Sequence, residues 1–449
     1  MNVAIIGTGY VGLTTGACLA YLGHRVTCID TDQKKIEELE RGGVPFHEPH
    51  LEDLIAAARP NLSFTTNAAD AIPSAQVIFI AVGTPPGAAG APDLKYVQSA
   101  AHDVGQNLGD HFTVVVNKST VPIGSGNWVG SLVRDALPAQ KARFAVASNP
   151  ELLREGSAIA DSLYPDRIVV GADEPQTSEV LYTLYRPILD QTFQAPPFLP
   201  RPERIGGVPL ISTDLASAEL IKYAANAFLA LKISYINEIS QLAGKVGADI
   251  NQVARGIGLD ARIGTRFLQA GIGWGGSCFG KDTAALIATA GDYALDMPIV
   301  KAAREVNFRQ RAFVVAKLLG ELKILKGRTI GILGLAFKPH TDDLRDAPGI
   351  DIAQHLIGRG AKVRAHDPIA EARFKQENPN LDVALCEAAE EAARDADALV
   401  LVTEWPEYQE LDWERIASLM KTPVILDGRH VLDRARLTRA GFRYLSLAG

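Results

Sequence analysis

Cys278 sits in the run Gly271-Ile272-Gly273-Trp274-Gly275-Gly276-Ser277-Cys278-Phe279-Gly280-Lys281-Asp282. A thiol acts as a nucleophile in its thiolate form, and a neighbouring cation such as Lys281 lowers its pKa. Four glycines just before the thiol leave the backbone bare, so a ligand can approach it closely. By residue type alone a single cysteine also reads as a small buried apolar side chain. The glycine cluster and the Lys281–Asp282 pair favour the nucleophile.

A second constellation suits phosphates. Gly7-Thr8-Gly9-Tyr10-Val11-Gly12 follows an apolar strand and opens a helix. In that setting Gly7 makes the tight turn, Gly9 admits a pyrophosphate, and Gly12 lets helix and strand pack closely. The helix N-terminus adds unpaired N–H groups and the positive end of its dipole. Asp30 ends the next strand, where an acid binds the adenine ribose hydroxyls. Its charge repels a 2′-phosphate, so the expected cofactor is NAD rather than NADP.

Other polar residues follow strands or share a helix face. Lys222 and Asn226 are four apart in a helical stretch and lie on one side of it, although an ordinary amphipathic boundary has the same spacing. Asn149-Pro150-Glu151-Leu152-Leu153-Arg154-Glu155-Gly156, Ser119-Thr120-Val121-Pro122 and Gly83-Thr84-Pro85 each follow a strand signal. Loops at the carboxyl ends of parallel strands are where α/β sheets bind ligands. Lys338 and Arg429 stand in similar positions late in the chain, and each alone also reads as a solvated charge.

These residues need an α/β scaffold. Strand signals at Val3–Ile6, Arg25–Ile29, Val77–Val82, Thr113–Asn117, Phe144–Ser148 and Arg167–Val170 alternate with helical stretches such as Tyr10–Leu22. The proline-rich stretch Ala195–Pro209 reads as a loop or linker. Ser212 or Thr213 then caps a long helix carrying Leu215, Ile221, Ala225, Phe228, Leu229, Ile236, Ile239 and Leu242 near helical period. Strands return at Thr329–Leu333, Lys362–His366, Ala398–Val402 and Val424–Asp427, and Gly334…Asp367 echoes Gly7…Asp30. The expectation is two Rossmann-like doubly wound parallel-sheet domains joined by a long central helix and a helical dimerisation region. The expected boundaries are 1–200, 201–320 and 321–449.

Composition excludes several classes. The chain has 449 residues, 47% hydrophobic and 22% charged, ordinary for globular domains and unlike a disordered chain. A net charge of −7 offers no broad basic surface to nucleic acid. No apolar run approaches the ~20 residues of a membrane helix, and the N-terminus lacks a signal-peptide pattern. Four scattered cysteines without paired spacing argue against zinc or a disulfide framework. The reading is a soluble, cytoplasmic protein without a metal site.

Together the motifs GTGYVG, VGTP, STVP, NPELLREG, LIKYAANAF, GGSCFGKD, GLAFKPHTDDLRDAP and DGRH resemble, in order and over nearly the whole chain, the nucleotide-sugar 6-dehydrogenases. Among them the resemblance is greatest to those acting on UDP-glucose. It implies oxidation of the sugar C6 alcohol to a carboxylate with two NAD and one water. Cys278 would attack the aldehyde to give a thiohemiacetal and then a thioester. Lys222 and Asn226 would stabilise the oxyanion, Asp282 would take part in proton transfer or water activation, and Thr120 with Glu151 would hold the hydrolytic water. NAD would contact Gly7, Gly9, Tyr10, Val11, Gly12, Asp30, Lys35, Thr84, Thr120, Glu155, Lys281 and Arg345. The UDP-sugar would contact Glu151, Leu152, Leu153, Arg154, Glu155, Lys222, Asn226, Phe267, Leu268, Gln269, Ala270, Gly271, Gly275, Lys338 and Arg429. Arg262 would reach the substrate of a neighbouring subunit, which implies a homodimer or higher homo-oligomer.

Three positions depart from the family pattern. Gly280 replaces a common proline and should loosen the loop after the nucleophile. Leu152 replaces a phenylalanine, and Ala195–Pro209 is long. The same chemistry on GDP-mannose or a UDP-N-acetylhexosamine is the competing reading. A hydroxyacid dehydrogenase of the 6-phosphogluconate type would share the first domain and the long helix but would not need Cys278.

Overall fold

Alternate residues of the first strand, β1 (Asn2–Ile6), feed two different cores: Val3 and Ile5 join one buried cluster, Ala4 and Ile6 the other. This is the period-2 geometry of a strand covered on both faces. The computed structural model describes residues 1–85, 87, 90–138, 142–203 and 205–447. Seven further strands complete the sheet: β2 (Arg25–Ile29), β3 (Leu62–Thr65), β4 (Val77–Ile80), β5 (Phe112–Asn117), β6 (Arg143–Ser148), β7 (Ile168–Ala172) and β8 (Leu210–Thr213). Their spatial order is β3-β2-β1-β4-β5-β6-β7-β8, and every pairing is parallel except β6 with β7. The first six follow the doubly wound 3-2-1-4-5-6 order.

The second sheet holds β9 (Thr329–Leu333), β10 (Lys362–His366), β11 (Val383–Leu385), β12 (Ala398–Leu401), β13 (Val424–Asp427) and β14 (Arg443–Ser446). Its order, β11-β10-β9-β12-β13-β14, is again 3-2-1-4-5-6, and all pairings are parallel. Ile330 and Ile332 face one core, Leu399 and Leu401 the other. The expected echo holds to the hydrogen bond. Gly7 N donates to Ile29 O (2.7 Å) and Gly334 N to His366 O (2.8 Å), with φ of +102° and +98°.

The long helix spans Leu215–Val246, 32 residues or ~48 Å. Its cap is Asp214, whose carboxylate accepts Ser217 N (2.8 Å) and Ser217 Oγ (2.7 Å). Ser212 and Thr213, the expected caps, instead end β8, because pairing with Val170 and Gly171 keeps them extended. Phe228 and Leu242, expected in the apolar face, are exposed, while Tyr223, Ala227, Ala230 and Ile236 are buried. The Ala195–Pro209 stretch is no free linker: Phe198, Leu199, Ile205 and Val208 pack on the core that holds Val3 and Ile5.

The chain divides into two compact units, 1–225 with 284–293, and 226–283 with 294–449. The first holds the eight-stranded sheet, the second the six-stranded one. Among the described residues no helix is long and apolar enough to cross a membrane.

Candidate active site

In the first unit, a Cβ on Gly7 would lie 2.6 Å from Ala81 O and one on Gly12 1.9 Å from Gly7 O, so both glycines are required by chain packing. A Cβ on Gly9 would meet no protein atom within 4 Å. No protein group fills the space a Cβ there would take, which leaves room for a dinucleotide pyrophosphate at the helix N-terminus. Asp30 Oδ2 accepts Thr8 Oγ1 (2.6 Å) and Thr8 N (2.9 Å) and pairs with Lys35 Nζ (3.2 Å), while Oδ1 accepts Asp32 N (3.1 Å). Burial would raise the Asp30 pKa, but the Thr8 hydroxyl, the two N–H donors and Lys35 outweigh it and hold the carboxyl below its usual range. An ionised, partly exposed acid is what a ribose diol requires. Tyr10 packs on Phe46 (ring centroids 4.7 Å) and accepts Gly156 N (2.7 Å) through its hydroxyl. Thr84 and Glu155 are buried.

Three expected catalytic residues of this unit converge. Lys222 Nζ lies 2.7 Å from Glu151 Oε1, the side chains 5% and 6% exposed. Thr120 and Lys222 line one small cavity with Asn117, Ser148, Glu219 and Tyr223. Glu219, 4% exposed, accepts Gly124 N (2.6 Å), Gly126 N (2.8 Å) and Ser148 Oγ (3.0 Å). Burial pushes its carboxyl above the ordinary value despite these donors. Lys118, also buried, donates to Asn149 Oδ1 (2.9 Å), which also takes the Tyr185 hydroxyl (2.6 Å). Desolvation lowers Lys118 to about 8, Glu151 acting in the opposite sense. Leu152 and Leu153 are half-buried. Arg154 turns to a bidentate pair with Asp161 (2.9 and 2.7 Å).

In the second unit Cys278 stands at the start of the helix Phe279–Asp292, and its carbonyl accepts Asp282 N (2.8 Å). The residue therefore lies at the positive end of a helix dipole. Ser277 Oγ is 3.5 Å from Sγ. Asp282, 1% exposed, receives Asn226 Nδ2 (2.6 Å) and Lys281 Nζ (2.5 Å). Lys281, expected at the cofactor, pairs with Asp282.

The glycines before Cys278 have a different reason from the expected one. Protein groups fill the space they leave: Cβ atoms would meet Gly428 O at Gly271, Asn307 Oδ1 at Gly273, Asp346 O at Gly275 and the Phe337 ring at Gly276. Gly280 does not loosen a loop either. It lies in the first turn of the helix, and its carbonyl accepts Arg304 and Thr283.

The remaining expected contacts are dispersed within the second unit. Leu268 and Ala270 are buried in an apolar cluster with Ile236 and Ala243, Gln269 is exposed, and Phe267 (φ +64°) packs edge-on to Phe279. Arg345 makes a bidentate pair with Asp343, and Arg262, 88% exposed, pairs with Asp260. Lys338 lies over the Phe337 ring. Arg429 donates to Val402 O (2.7 Å), Gly273 O (3.1 Å) and Phe337 O (3.3 Å), tying the loops after β9 and β12 to the glycine run.

Sequence reading missed the side chains that shape that run. Asn307, Gln310 and Arg311 lie on one face of the helix Pro298–Leu322 and are at most 2% exposed. Asn307 bonds Trp274 N (2.7 Å) and O (2.9 Å), Gln310 bonds Gly271 O (2.7 Å) and Arg311 bonds Trp274 O (3.0 Å). Asn237 Oδ1 accepts Gly271 N (2.7 Å). The available signal was the i, i+3, i+4 polar spacing, which also describes a solvated face.

Comparison with known proteins matches residues 1–189 to the NAD binding domain of the UDP-glucose/GDP-mannose dehydrogenase family, 216–309 to its central domain and 331–434 to its UDP binding domain. The chain is 45% identical to UDP-glucose 6-dehydrogenase of Rhizobium meliloti, covering 100% of this chain and 99% of that one. It is 44% identical to UDP-glucose 6-dehydrogenase TuaD of Bacillus subtilis, covering 99% and 93%. Among solved structures, a UDP-glucose dehydrogenase from Pyrobaculum islandicum superposes with a TM-score of 0.89 at 38% identity, covering 99% and 97%. With its nucleotide-binding turn, buried Lys222–Glu151 pair and helix-capping Cys278, the chain belongs to the UDP-glucose/GDP-mannose dehydrogenase family.

Proposed function

We propose that this enzyme oxidises the C6 alcohol of UDP-glucose to the carboxylate of UDP-glucuronate, a four-electron oxidation that reduces two NAD and consumes one water. The observation that carries the reading is Cys278 at a helix N-terminus, one turn from the buried Asp282 that Asn226 and Lys281 hold. NAD, when bound, supplies the hydride acceptor. The fit of Gly7, Gly9, Gly12, Asp30 and Lys35 to its phosphates and ribose supports that cofactor.

Cys278 Sγ forms a bond to C6 of the aldehyde, giving a thiohemiacetal that loses its second hydride to become a thioester. The covalent link keeps the aldehyde from escaping and divides a difficult conversion into easier steps. Lys222 and Asn226, one helical turn apart, donate to the C6 oxyanion. Asp282 accepts the proton released with the alcohol, and Thr120 with Glu151 holds the water that cleaves the thioester.

A homodimer is supported by Phe228, Tyr235 and Leu242. They recur every seven residues along one side of the long helix and are 60%, 51% and 59% exposed. The exposed Arg262 suits a role toward a neighbouring subunit. No disulfide joins any of the four cysteines, and we read the enzyme as cytoplasmic.

The test is NADH formation with purified protein on UDP-glucose, GDP-mannose and a UDP-N-acetylhexosamine. The expected result is two NADH per sugar and the highest kcat/KM on UDP-glucose. One NADH per sugar, or a preference for GDP-mannose, overturns the reading.

A further inference from the structure

The helix Ser125–Ala136 has no side-chain cap of its own: Gly124, at φ +94°, precedes it without a capping oxygen. Glu219 supplies that oxygen from the long helix. Its Oε2 takes Gly124 N at 2.6 Å, its Oε1 takes Gly126 N at 2.8 Å and Ser148 Oγ at 3.0 Å. The fit is close, since a Cβ on Gly126 would lie 3.2 Å from Oε1. A carboxylate on the unpaired N–H groups of a helix start is a charge-assisted arrangement.

One carboxylate therefore joins three segments. Thr120 lies in the loop that ends at Gly124. Ser148 ends β6, three residues before Glu151. Lys222 is one turn beyond Glu219 on the same helix. Loss of the carboxylate leaves Lys222 on its helix but frees the loops of Thr120 and Glu151 from it.

We infer that Glu219 is a positioning residue for the hydrolytic half of the reaction, holding Thr120 and Glu151 in register with the long helix. The inference rests on the proposed water-holding role of those two residues. In the step concerned the water oxygen bonds to C6, the C6–Sγ bond breaks, the thiolate leaves, and both water protons pass to solvent, leaving the carboxylate.

Slowing only this last step lowers kcat and KM together, leaving kcat/KM for UDP-glucose intact. A loss of folded enzyme lowers kcat and kcat/KM equally. The experiment compares Glu219→Gln, Thr120→Ala and the double variant, with mass spectrometry of enzyme quenched during turnover. Glu219→Gln is expected to lower kcat about tenfold or more, keep kcat/KM within about twofold, and accumulate a UDP-glucuronyl adduct on Cys278. The double variant should be no slower than the slower single one. An unchanged kcat in Glu219→Gln, or equal falls in kcat and kcat/KM, overturns the inference while a slow Thr120→Ala leaves the underlying reading standing. A fully active Thr120→Ala overturns both. Should Glu219→Gln not fold, Ser148→Ala removes one donor and keeps the carboxylate; it must show the same split at about twofold to fivefold, and its absence overturns the inference.

Discussion

Lys222 and Glu151 form an ion pair of 2.7 Å between two side chains almost fully removed from water. Neither charge has solvent to fall back on, so losing the other is costly to each. The pair joins the long helix to the loop after β6. Its geometry also holds the Lys222 ammonium in place, which is what the proposed oxyanion role asks of a preorganised donor.

Breaking that pair from one side leaves a buried charge without its partner. Lys222→Met and Glu151→Leu should each lower stability by ~3–5 kcal/mol, and the double variant by less than the sum. Urea unfolding midpoints check this, and single variants within experimental error of the parent would contradict the described burial. The double variant should remain inactive, because the ammonium is gone.

Cys278→Ser replaces the proposed nucleophile with a hydroxyl. Complete turnover should fall by ~10³-fold or more, and the intact protein should carry no acyl adduct. The readout is NADH per UDP-glucose together with intact mass; two NADH at an undiminished rate would remove the thioester from the mechanism.

Thr8 and Lys35 hold the ionised carboxylate of Asp30, and the proposed role of that charge is to select the cofactor. Asp30→Ser removes the repulsion toward a 2′-phosphate and a hydrogen-bond acceptor for the ribose. The kcat/KM ratio of NAD to NADP should fall by about tenfold or more, the equivalent of ~1.4 kcal/mol. Steady-state kinetics with both cofactors decide it.

Lys118 gives a pH signature in stability. Its folded pKa, about 8, lies below the ordinary 10.5 because the ammonium is desolvated. From about pH 8 to 10.5 the unfolded chain binds a proton that the folded chain has released. The stability of the parent relative to Lys118→Met should therefore rise with pH across that window and be flat below it. Tm differences measured from pH 7 to 10 give the answer, and a falling difference would refute the assignment.

The seven-residue apolar stripe on the long helix predicts self-association. Phe228→Glu with Leu242→Glu should shift the sedimenting species to the monomer, while either change alone leaves a weakened dimer. A monomeric parent protein at micromolar concentration would count against this face as the contact.

Much of the scaffold was legible because both sheets are buried on both faces. Val77–Val82 and Ala398–Val402 read as strands from uninterrupted apolar runs, and the observed strands Val77–Ile80 and Ala398–Leu401 fall within them, while the Gly334…Asp367 turn repeats Gly7…Asp30 down to the hydrogen bond of its first glycine. The strands that escaped notice are short edge or near-edge elements, such as β11, three residues long, and β8, hidden behind prolines. In the site, Cys278 and the Lys281–Asp282 pair stood out by type and spacing, whereas Lys222 was picked out only by the family resemblance. Glu219, Asn307 and Gln310 did not stand out, since a polar side chain on a helix looks the same in sequence whether it faces water or a buried loop. The glycines before Cys278 were visible, but only coordinates reveal that Asn307 and Phe337 occupy the room they leave.

The two matching turns differ in the fate of one carboxylate. Asp30 remains reachable, 13% exposed, whereas Asp367, at 2%, is surrounded by the N–H groups of Leu335, Ala336, Ile369 and Ala370 and by the Trp405 indole. A crevice whose acid is sealed inward has no anion to offer a ribose diol. Two turns of one chain trace therefore differ in what they offer a ligand through side-chain accessibility rather than through backbone shape.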